Sequence, residues 1–507
     1  MAENNAPTNV EETPAGGNSG SAAYLAAVCL VPSLGGLLFG FDTAVISGTF
    51  GFVESQFHLS KFQVGWFGSS ALVGCILGAA AAGMLGDRFG RKPVLIVSAL
   101  LFFVSALFSA IPPSFEILTC ARIVGGLGVG MASVLAPMYL SELSPAPLRG
   151  RLVASYQLSI VIGILAAYFS NWLLFDFSRG NPGAFGGTGL LHWLFVSEVW
   201  RGMFGAEMLP AGLFFLLMFC VPESPRWLAK EGRDKKALAV LARIGGREPA
   251  RREMSEIQDA LAHEEGTLAE LFRPGLRLAL LVGVGLSFFG QLTGVNIVVY
   301  YGPTVLEHAG FEKVGAFQYQ VGLGLVNLIF TLIAMSLIDR LGRRPLLIGG
   351  MSVVVLALAI TGLLFLCGAP HFVTDSGTGE TRLELANQAV GPWIVAVLTV
   401  YMACVALSIC AVIWVLTPEI FPNRVRGRAM SIATLTNWST NAVSIFLFPW
   451  YVHRLGMHTG FLTFAAICFV GTVFFWRYVP ETKGKSLEEI ERSWTPSSKE
   501  TSDEMLA

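Results

Sequence analysis

Two charged residues lie within long apolar segments of this chain, and together they are suited to proton chemistry. Asp42 follows the run Gly-Leu-Leu-Phe-Gly-Phe, and Arg122 precedes Ile-Val-Gly-Gly. An ionised carboxylate inside hydrocarbon costs at least about 2.5 kcal/mol, so it needs a cation, water or a proton. Arg122 is the natural cation, because a nearby positive charge favours the ionised carboxylate and dehydration favours the protonated form. Asp42 is therefore a candidate proton site, and capping by water at a helix end is the alternative explanation.

A second set of side chains in the apolar segments carries amide groups and aromatic rings. Amides both donate and accept hydrogen bonds, and an aromatic ring packs on a weakly apolar face, so the set suits a ligand rich in hydroxyl groups. Its members are Gln157, Gln291, Asn296, Asn327, Trp414 and Asn437, with Tyr300, Tyr301, Trp438 and Asn441 nearby. Each buried amide taken alone has a second explanation, which is a hydrogen bond that joins two helices.

Helix geometry decides which of these amides share a face. Asn437 and Asn441 are four residues apart, so they lie on one stripe of a regular helix. Gln291 and Asn296 are five residues apart and would point about 140° away from each other, since each residue turns the helix by about 100°. Gly290 and Gly294 flank this stretch, and a local break there could turn both amides toward the cavity, because irregular backbone is tolerated where it lines water.

Long apolar segments must position these groups. Hydrophobic residues make up 53% of the 507 residues and charged residues 14%, and the mean hydropathy is +0.62. Such a chain has too little polar surface for a water-soluble protein of this size. A helix that crosses the bilayer needs about 20 apolar residues. The sequence predicts twelve spans, at residues 25–47, 62–85, 93–111, 115–139, 153–175, 201–221, 276–301, 315–338, 345–367, 390–417, 428–450 and 460–479.

The basic residues predict the orientation of these spans. Most of the 34 Lys and Arg residues fall in the loops of one side. The loops of the other side hold Lys61, Arg179, Lys313, Arg382 and Arg454. Because cytoplasmic loops carry the excess of Lys and Arg, we expect both termini and the large central loop to be cytoplasmic. The net charge of -1 leaves no basic face for a nucleic acid partner.

Three polar signatures occur twice in the same order, which predicts two similar halves. Residues 86–92 (GDRFGRK) recur at 338–344 (IDRLGRR), 137–151 at 417–428, and 222–226 at 480–484. An internal repeat of this kind is typical of membrane transporters. We predict a disordered tail at 1–23, an N-terminal half at 24–221, a linker of short amphipathic helices at 222–275, a C-terminal half at 276–480 and a tail at 481–507.

Acidic residues accompany the basic residues of these signatures, and a role in topology alone does not explain them. The expected pairs are Asp87 with Arg91, Glu142 with Arg149 and Arg151, Asp339 with Arg343, and Glu419 with Arg426 and Arg428, which Glu223, Arg226 and Glu481 connect to the linker. An exposed ion pair contributes only about 0–1 kcal/mol, which suits a gate that must open. We therefore predict a cytoplasmic gate.

The chain resembles the sugar porters of the major facilitator superfamily from residue 35 to residue 484. The similarity rests on GLLFGFDTAVISG at 36–48, RIVGG at 122–126, PESPRWL at 222–228, QLTGVNIVVYY at 291–301 and PETKG at 480–484. The resemblance implies an all-α membrane protein of twelve transmembrane helices in two six-helix halves, with the site at the midplane. It also implies that Asp42 and Arg122 couple transport to protons, with Glu207 as a third charged member, and that the amides bind sugar.

The resemblance implies the import of a monosaccharide, and Asp42 favours symport with protons, since facilitative relatives carry a neutral residue at that position. A uniporter and a transporter-like sugar receptor remain alternatives, and a drug exporter fits the amides less well. We expect a monomer in the plasma (cell inner) membrane. The sequence has no Walker motif or catalytic triad, and its eight cysteines all lie in apolar segments, so no enzyme, cofactor or metal site is expected.

Three departures from the family pattern concern the substrate. Gly290 stands where many relatives have a glutamine before Gln291, and Ile164 stands where some pentose symporters have a polar residue. Cys410-Ala411 replaces the Gly-Pro that usually precedes the tryptophan of the tenth span, which puts a hinge at that position in doubt. With fewer hydrogen-bonding groups, neither a hexose nor a pentose can be assigned by resemblance.

Overall fold

The computed structural model describes residues 21–145, 148–262, 268–273, 276–368, 370–374, 381–385, 387–485 and 489. Most of the two predicted tails lies outside these residues. The described chain is helical apart from one β-hairpin, so the expected all-α class holds for the membrane spans and has one exception in a loop.

Nine α-helices precede the linker in the described part of the chain. They are α1 Ala22–Val45, α2 Phe50–Phe57, α3 Lys61–Phe89, α4 Arg91–Ala110, α5 Phe115–Leu143, α6 Arg149–Gly180, α7 Leu190–His192, α8 Val199–Ala206 and α9 Met208–Met218. Helices α8 and α9 form one span that is interrupted at Glu207. Helix α6 extends to Gly180, five residues past the predicted end of the fifth span at residue 175.

Three amphipathic helices lie between the two sets of spans: α10 Pro225–Lys230, α11 Asp234–Gly245 and α12 Arg247–Ala262. They share a small core of Trp227, Leu241 and Met254. Contacts with the first half hold them in place, since the Arg243 guanidinium lies 4.0 Å from the centre of the Tyr24 ring.

After the linker, the described residues form eight α-helices. They are α13 Leu276–Gln291, α14 Val295–His308, α15 Lys313–Leu341, α16 Arg343–Cys367, α17 Gly391–Leu407, α18 Ile409–Glu419, α19 Asn423–Leu455 and α20 Met457–Tyr478. The strands β1 Pro370–Thr374 and β2 Thr381–Leu385 pair antiparallel in the loop between α16 and α17. Two further spans are each built from two helices, α13 with α14 and α17 with α18.

The twelve predicted spans are present. Eleven segments of the described chain are long and apolar enough to cross a membrane. The twelfth is α19, a helix of 33 residues that packs against α3 and α13. Its mean apolar character is low because it carries Thr434, Asn437 and Asn441 within the span and arginines at its start. A polar stripe of this kind is expected for a helix that faces a cavity between the halves.

The two halves touch through α3 with α19 and through α6 with α15. The end of the bundle that carries α10–α12 and the repeated basic turns is called the basic end, and the other end, which carries α2 and the hairpin, the far end. Aromatic contacts between the halves gather toward the far end, where Phe50 stacks on Tyr301 at 4.4 Å and Phe175 meets Phe317 at 4.9 Å.

Near the basic end the halves are apart. A side chain added at Gly83, Gly150 or Gly427, at the basic-end parts of α3, α6 and α19, would meet nothing within 4 Å in the described chain. The aromatic contacts between the halves lie toward the far end, and we infer that the cavity between the halves opens toward the basic end.

Gly65 on α3 allows the far end to close. A carbon atom added at Gly65 would lie 2.0 Å from the Phe446 carbonyl oxygen on α19, far inside van der Waals contact. We predict that Gly65→Val keeps the far ends apart and depletes the arrangement described here. Spin labels at Gln63 and His453, measured by double electron–electron resonance, should report a longer distance in this variant.

Gly83→Val is the matched control, because Gly83 lies on the same helix and faces open space. It should leave the distance distribution unchanged. An unaltered distribution in Gly65→Val would contradict the assignment of this contact to far-end closure.

Candidate functional site

Asp42 and Arg122 form an ion pair in the interior of the first half. Asp42 is 2% exposed and Arg122 is 1% exposed. Arg122 Nη1 donates to Asp42 Oδ1 at 2.5 Å, and Nη2 donates to Oδ2 at 3.3 Å and to the Asp42 carbonyl oxygen at 3.1 Å. The guanidinium also lies 5.4 Å from the centre of the Phe204 ring. Removing either partner of such a pair leaves the other as an uncompensated buried charge, at a cost of about 3–5 kcal/mol.

Glu207 lies at the interruption between α8 and α9 and is 1% exposed. Neither of its carboxylate oxygens has a hydrogen-bond partner among the described residues. The carboxylate interacts electrostatically with both Asp42 and Arg122 without pairing directly with the guanidinium. The three charged residues thus form one buried group, in which Arg122 has one bonded and one unbonded acidic neighbour.

Three of the predicted amides are joined by hydrogen bonds. Asn296 Nδ2 donates to Gln291 Oε1 at 2.5 Å, and Gln291 Nε2 donates to Asn437 Oδ1 at 2.7 Å. The expected break is present, since α13 ends at Gln291, Gly294 has φ 82° and α14 begins at Val295. The break therefore allows Gln291 and Asn296, five residues apart in sequence, to form one hydrogen-bonded group with Asn437 of α19.

Side-chain hydrogen bonds hold this break. Thr293 Oγ1 donates to the Gly290 carbonyl oxygen at 2.7 Å, and the Tyr401 hydroxyl on α17 donates to the Thr293 carbonyl oxygen at 2.9 Å. These bonds replace those that a continuous helix would have made, as a membrane interior requires.

The other predicted ligand residues are distributed around the cavity. Gln157 is half-buried on α6, Asn327 is 9% exposed on α15, and Asn441 lies on the same stripe of α19 as Asn437. Trp414 on α18 is 43% exposed, which leaves its ring accessible as a platform. Trp438 instead packs on Phe39 of the first half, with ring centres 5.4 Å apart.

The two consecutive tyrosines of α14 occupy different surroundings. Tyr300 interacts electrostatically with Asp42 and Arg122, so it belongs to the buried charged group. The Tyr301 hydroxyl donates to the Ile445 carbonyl oxygen at 3.1 Å, and its ring belongs to the far-end aromatic contacts. Tyr301 thus closes the cavity and is not part of the amide group.

The tenth span is interrupted even though it lacks the Gly-Pro hinge. Helix α17 ends at Leu407, Ser408 has φ −102° and ψ −95°, and α18 begins at Ile409. The Ser408 hydroxyl donates to the Cys404 carbonyl oxygen at 2.6 Å. A carbon atom added at Gly350 on α16 would lie 2.3 Å from the Ser408 side chain. The loss of Gly-Pro before Trp414 left a hinge in doubt, and the structure shows a break there, at a serine that is in close contact with α16.

Two matching charge clusters lie at the basic end, one in each half. In the first, Arg91 Nη2 pairs with Glu142 Oε1 at 2.9 Å and Arg91 Nη1 pairs with Asp87 Oδ1 at 3.1 Å. In the second, Arg343 Nη2 pairs with Glu419 Oε1 at 3.0 Å and Arg343 Nη1 with Asp339 Oδ1 at 3.0 Å. Each cluster joins neighbouring spans of its own half.

A glutamate caps the start of one helix in each cluster. Glu223 Oε1 accepts from the backbone N–H of Arg91 at 3.0 Å, and Glu481 Oε1 accepts from the backbone N–H of Arg343 at 3.1 Å. Burial raises the pKa of Glu223 above its usual value, and the N–H groups offset only part of this effect. Glu481 is less buried, so its N–H bonds outweigh burial and lower its pKa.

The predicted partners of the other arginines are partly wrong. Glu142 and Glu419 pair with Arg91 and Arg343 of the preceding signature, because the ends of neighbouring spans converge there. Arg149 pairs instead with Glu253 of α12 at 3.5 Å, and Arg426 donates to the Phe421 carbonyl oxygen at 3.2 Å. Arg151 and Arg428 are exposed, and Arg226 is half-buried in α10.

Sequence reasoning missed the aromatic residues that join the halves. Phe39 and Phe50 each contact a ring of the other half, Trp438 and Tyr301 respectively. They are phenylalanines among many in apolar segments, so no spacing distinguishes them from residues that face lipid.

The sequence profile of the family described as Sugar (and other) transporter matches residues 28–494. The chain is 38% identical to the arabinose-proton symporter of Bacillus subtilis over 97% of its own length and 99% of that protein. It is 37% identical to the D-xylose-proton symporter of Escherichia coli, covering 95% of this chain and 98% of the relative.

The fold agrees with these similarities. A partially occluded inward-open structure of the xylose transporter XylE from E. coli superposes with a TM-score of 0.76 at 33% identity, covering 92% of this chain and 100% of the other. Such agreement over nearly the whole length includes both halves and the linker. The chain belongs to the sugar porter family of the major facilitator superfamily.

Proposed function

We propose that this protein imports a monosaccharide together with protons by alternating access. The observation that carries the proposal is the buried Asp42–Arg122 pair, 2% and 1% exposed, beside a cavity that is lined with amides and opens to one end. Relatives over nearly the whole length are arabinose-proton and D-xylose-proton symporters. The transporter is not an enzyme, and its substrates are the sugar and the proton.

In this proposal Asp42 carries the coupled proton. While Asp42 is ionised, three hydrogen bonds tie its side chain and backbone on α1 to Arg122 on α5. A proton on Asp42 removes the charge attraction and weakens this link between the two helices. Arg122 then has the Glu207 carboxylate as an alternative counter-ion within the same buried group. The exchange of partners permits α1 to move relative to α5 without leaving a bare charge in hydrocarbon.

The amide group of Gln291, Asn296 and Asn437 binds the sugar hydroxyls. Each amide both donates and accepts, so hydroxyl groups can replace the bonds that the amides make with one another. Gln157 on α6, Asn327 on α15 and Trp414 on α18 complete a site to which both halves contribute. Sugar binding at this position would pull α14 and α19 toward α6.

The basic end is cytoplasmic in this proposal, because Lys and Arg concentrate in cytoplasmic loops. Both termini then face the cytoplasm, the protein lies in the cytoplasmic membrane as a monomer, and the structure is inward-facing. The two charge clusters keep the ends of the spans in register within each half. Arg151 and Arg428, exposed at the starts of α6 and α19, are available for pairing between the halves when the basic end closes.

Asp42→Asn should abolish proton-driven accumulation and retain sugar exchange. The asparagine resembles the protonated aspartate in size and charge, so the transporter can cycle with sugar and can no longer bind or release the proton. Uptake into proteoliposomes with an inward proton gradient, compared with counterflow at equal pH, measures the two activities. Glu54→Gln is the matched control, since Glu54 pairs with Lys61 on the far-end surface. Undiminished pH-driven uptake in Asp42→Asn would refute the coupling role.

Gln291→Ala should raise the KM for sugar roughly tenfold, because one central hydrogen-bonding amide is worth about 1–2 kcal/mol. Gln320→Ala provides the comparison, since Gln320 on α15 is 1% exposed and donates to the Val298 carbonyl oxygen at 3.1 Å, within the helix packing. It should lower the thermal unfolding temperature and leave KM unchanged. Equal KM values for wild type and Gln291→Ala would exclude the amide from the sugar site. A panel of pentoses, hexoses and inositol identifies the substrate.

A further inference from the structure

The loop between α6 and α8, at the far end of the first half, carries large apolar side chains on its surface. Residues 180–197 contain no Asp, Glu, Lys or Arg, yet they include two phenylalanines, three leucines and a tryptophan. Phe185 is 49% exposed, Leu190 is 63% exposed and Leu191 is 51% exposed. Contiguous exposed apolar side chains without charge mark a surface that contacts a partner or a membrane.

A glycine-rich turn folds this loop back toward α6. Gly186 and Gly189 have φ of 78° and 90°, in the left-handed region that suits glycine. Phe185 has φ 58° and ψ 27°, which is an unfavourable conformation for a residue with a side chain. The centre of the Phe185 ring lies 6.2 Å from that of Phe177, near the end of α6, and 6.3 Å from that of Phe195. The strained turn thus holds an exposed ring beside α6.

The Phe185 ring continues an exposed apolar stripe of α6. Phe169, Leu173 and Phe177 follow one another at intervals of four residues, and all three are exposed. Side chains at this spacing share one face of a helix, and the exposed apolar face of a helix that crosses the membrane contacts lipid. Because Phe185 lies next to Phe177, the lipid-facing surface extends from the span to the loop.

The residues around the loop place it at the membrane surface. Asp176 and Arg179 are exposed near the end of α6, and charged side chains at the end of a span lie at the level of the lipid headgroups. Trp193 is of a residue type that is enriched at this level, because its ring is apolar and its N–H group is polar. The loop therefore begins among the headgroups rather than in bulk water.

Contacts within the protein use the polar groups of the loop and hold it on the bundle. The Arg201 guanidinium lies 4.2 Å from the centre of the Trp193 ring, and Arg201 Nε pairs with Glu198 Oε2 at 2.7 Å. Trp193 Nε1 donates to Glu198 Oε1 at 2.6 Å. A carbon atom added at Gly202 on α8 would lie 2.8 Å from the Phe195 ring, so the loop packs closely on α8. These contacts leave the apolar side chains on the outside.

We propose that residues 184–197, here called the interfacial segment, insert Phe185, Leu190 and Leu191 into the lipid leaflet at the far end. The segment carries no charge, begins at the level of the headgroups and is continuous with the lipid-facing stripe of α6. Burial of its apolar side chains in lipid is favourable and offsets the strained turn at Phe185. A second copy of this chain fits less well, because a stable protein interface takes about 20–30 residues from each side.

The interfacial segment is joined to the ends of two other helices of the first half. Glu198 Oε2 accepts from Gln56 Nε2 of α2 at 2.6 Å. Arg201 Nη1 donates to the carbonyl oxygens of Ala110 and Pro112, at the far end of α4, at 3.3 Å each. Lipid contact at the interfacial segment therefore helps to hold the far ends of α2 and α4 in place.

Collisions of a spin label with oxygen, which concentrates in lipid, and with a nickel chelate, which stays in water, test this proposal. The full chain, with its exposed cysteines replaced by alanine, is labelled at Leu190→Cys in nanodiscs of phosphatidylethanolamine and phosphatidylglycerol. We expect oxygen collisions to exceed nickel collisions, as at Leu173→Cys on the stripe of α6. Ser55→Cys is the control in water, since Ser55 is exposed on α2 at the far end, and nickel collisions should exceed oxygen collisions there. Leu191→Cys replaces Leu190→Cys if the latter does not fold.

Photo-crosslinking gives a second measurement in the chain that keeps its native cysteines. Leu190→p-benzoylphenylalanine, irradiated in proteoliposomes of the same lipids, should yield protein that is heavier by the mass of one phospholipid. The same substitution at Ser55 should yield no such product, because benzophenone does not form adducts with water.

Two results would overturn the proposal. An excess of nickel collisions at residue 190 would show that the interfacial segment faces water. A covalent dimer in place of the lipid adduct would assign this surface to a second copy of the chain. Neither measurement depends on the transported substrate, so the proposed function and this inference stand or fail separately.

Discussion

Hydrocarbon offers no hydrogen bonds, so every backbone N–H and C=O group that leaves a helix inside the membrane needs a partner from the protein. Three spans are interrupted among the described residues despite this cost, at Glu207, at 292–294 and at Ser408. The first break carries the unpaired carboxylate, the second brings three amides together, and the third precedes Trp414. Tyr401 and the Ser408 hydroxyl provide bonds at two of them. Irregular backbone thus occurs beside the residues proposed to bind the sugar and the proton.

The two halves share the arrangement of their spans and differ in their buried polar residues. Arg91 pairs with Glu142 at 2.9 Å and Arg343 with Glu419 at 3.0 Å, so the same kind of ion pair holds the converging ends of neighbouring spans in each half. The buried charges lie in the first half, whereas most of the amides lie in the second. Alternating access needs a similar arrangement of helices in both halves, since each half must move in the same way. Coupling needs different buried residues in the two halves, since the proton and the sugar require different chemistry.

Much of the fold could be predicted from sequence, because span length, loop charge and the repeat each act locally. The pair Asp42–Arg122 was predictable, since an isolated charge in a span requires a partner. Gly294 revealed a break through the mismatch between helical period and the amide positions. Contacts between the halves, such as Phe39 with Trp438, could not be predicted, because residues far apart in sequence meet only in the assembled bundle. The pairing of Glu142 with Arg91 depended in the same way on how helix ends converge.

The glutamates that cap α4 and α16 also have a consequence for biosynthesis. Glu223 and Glu481 each follow the sixth span of a half, yet each binds the start of the third span of that half. Gly90 and Gly342, both at φ 96°, leave room for these carboxylates. During synthesis each half therefore lacks this helix cap until the capping glutamate has left the ribosome. The first half can form its glutamate cap before the second half is translated. Each half thus completes its helix contacts only after its own capping glutamate has been synthesised.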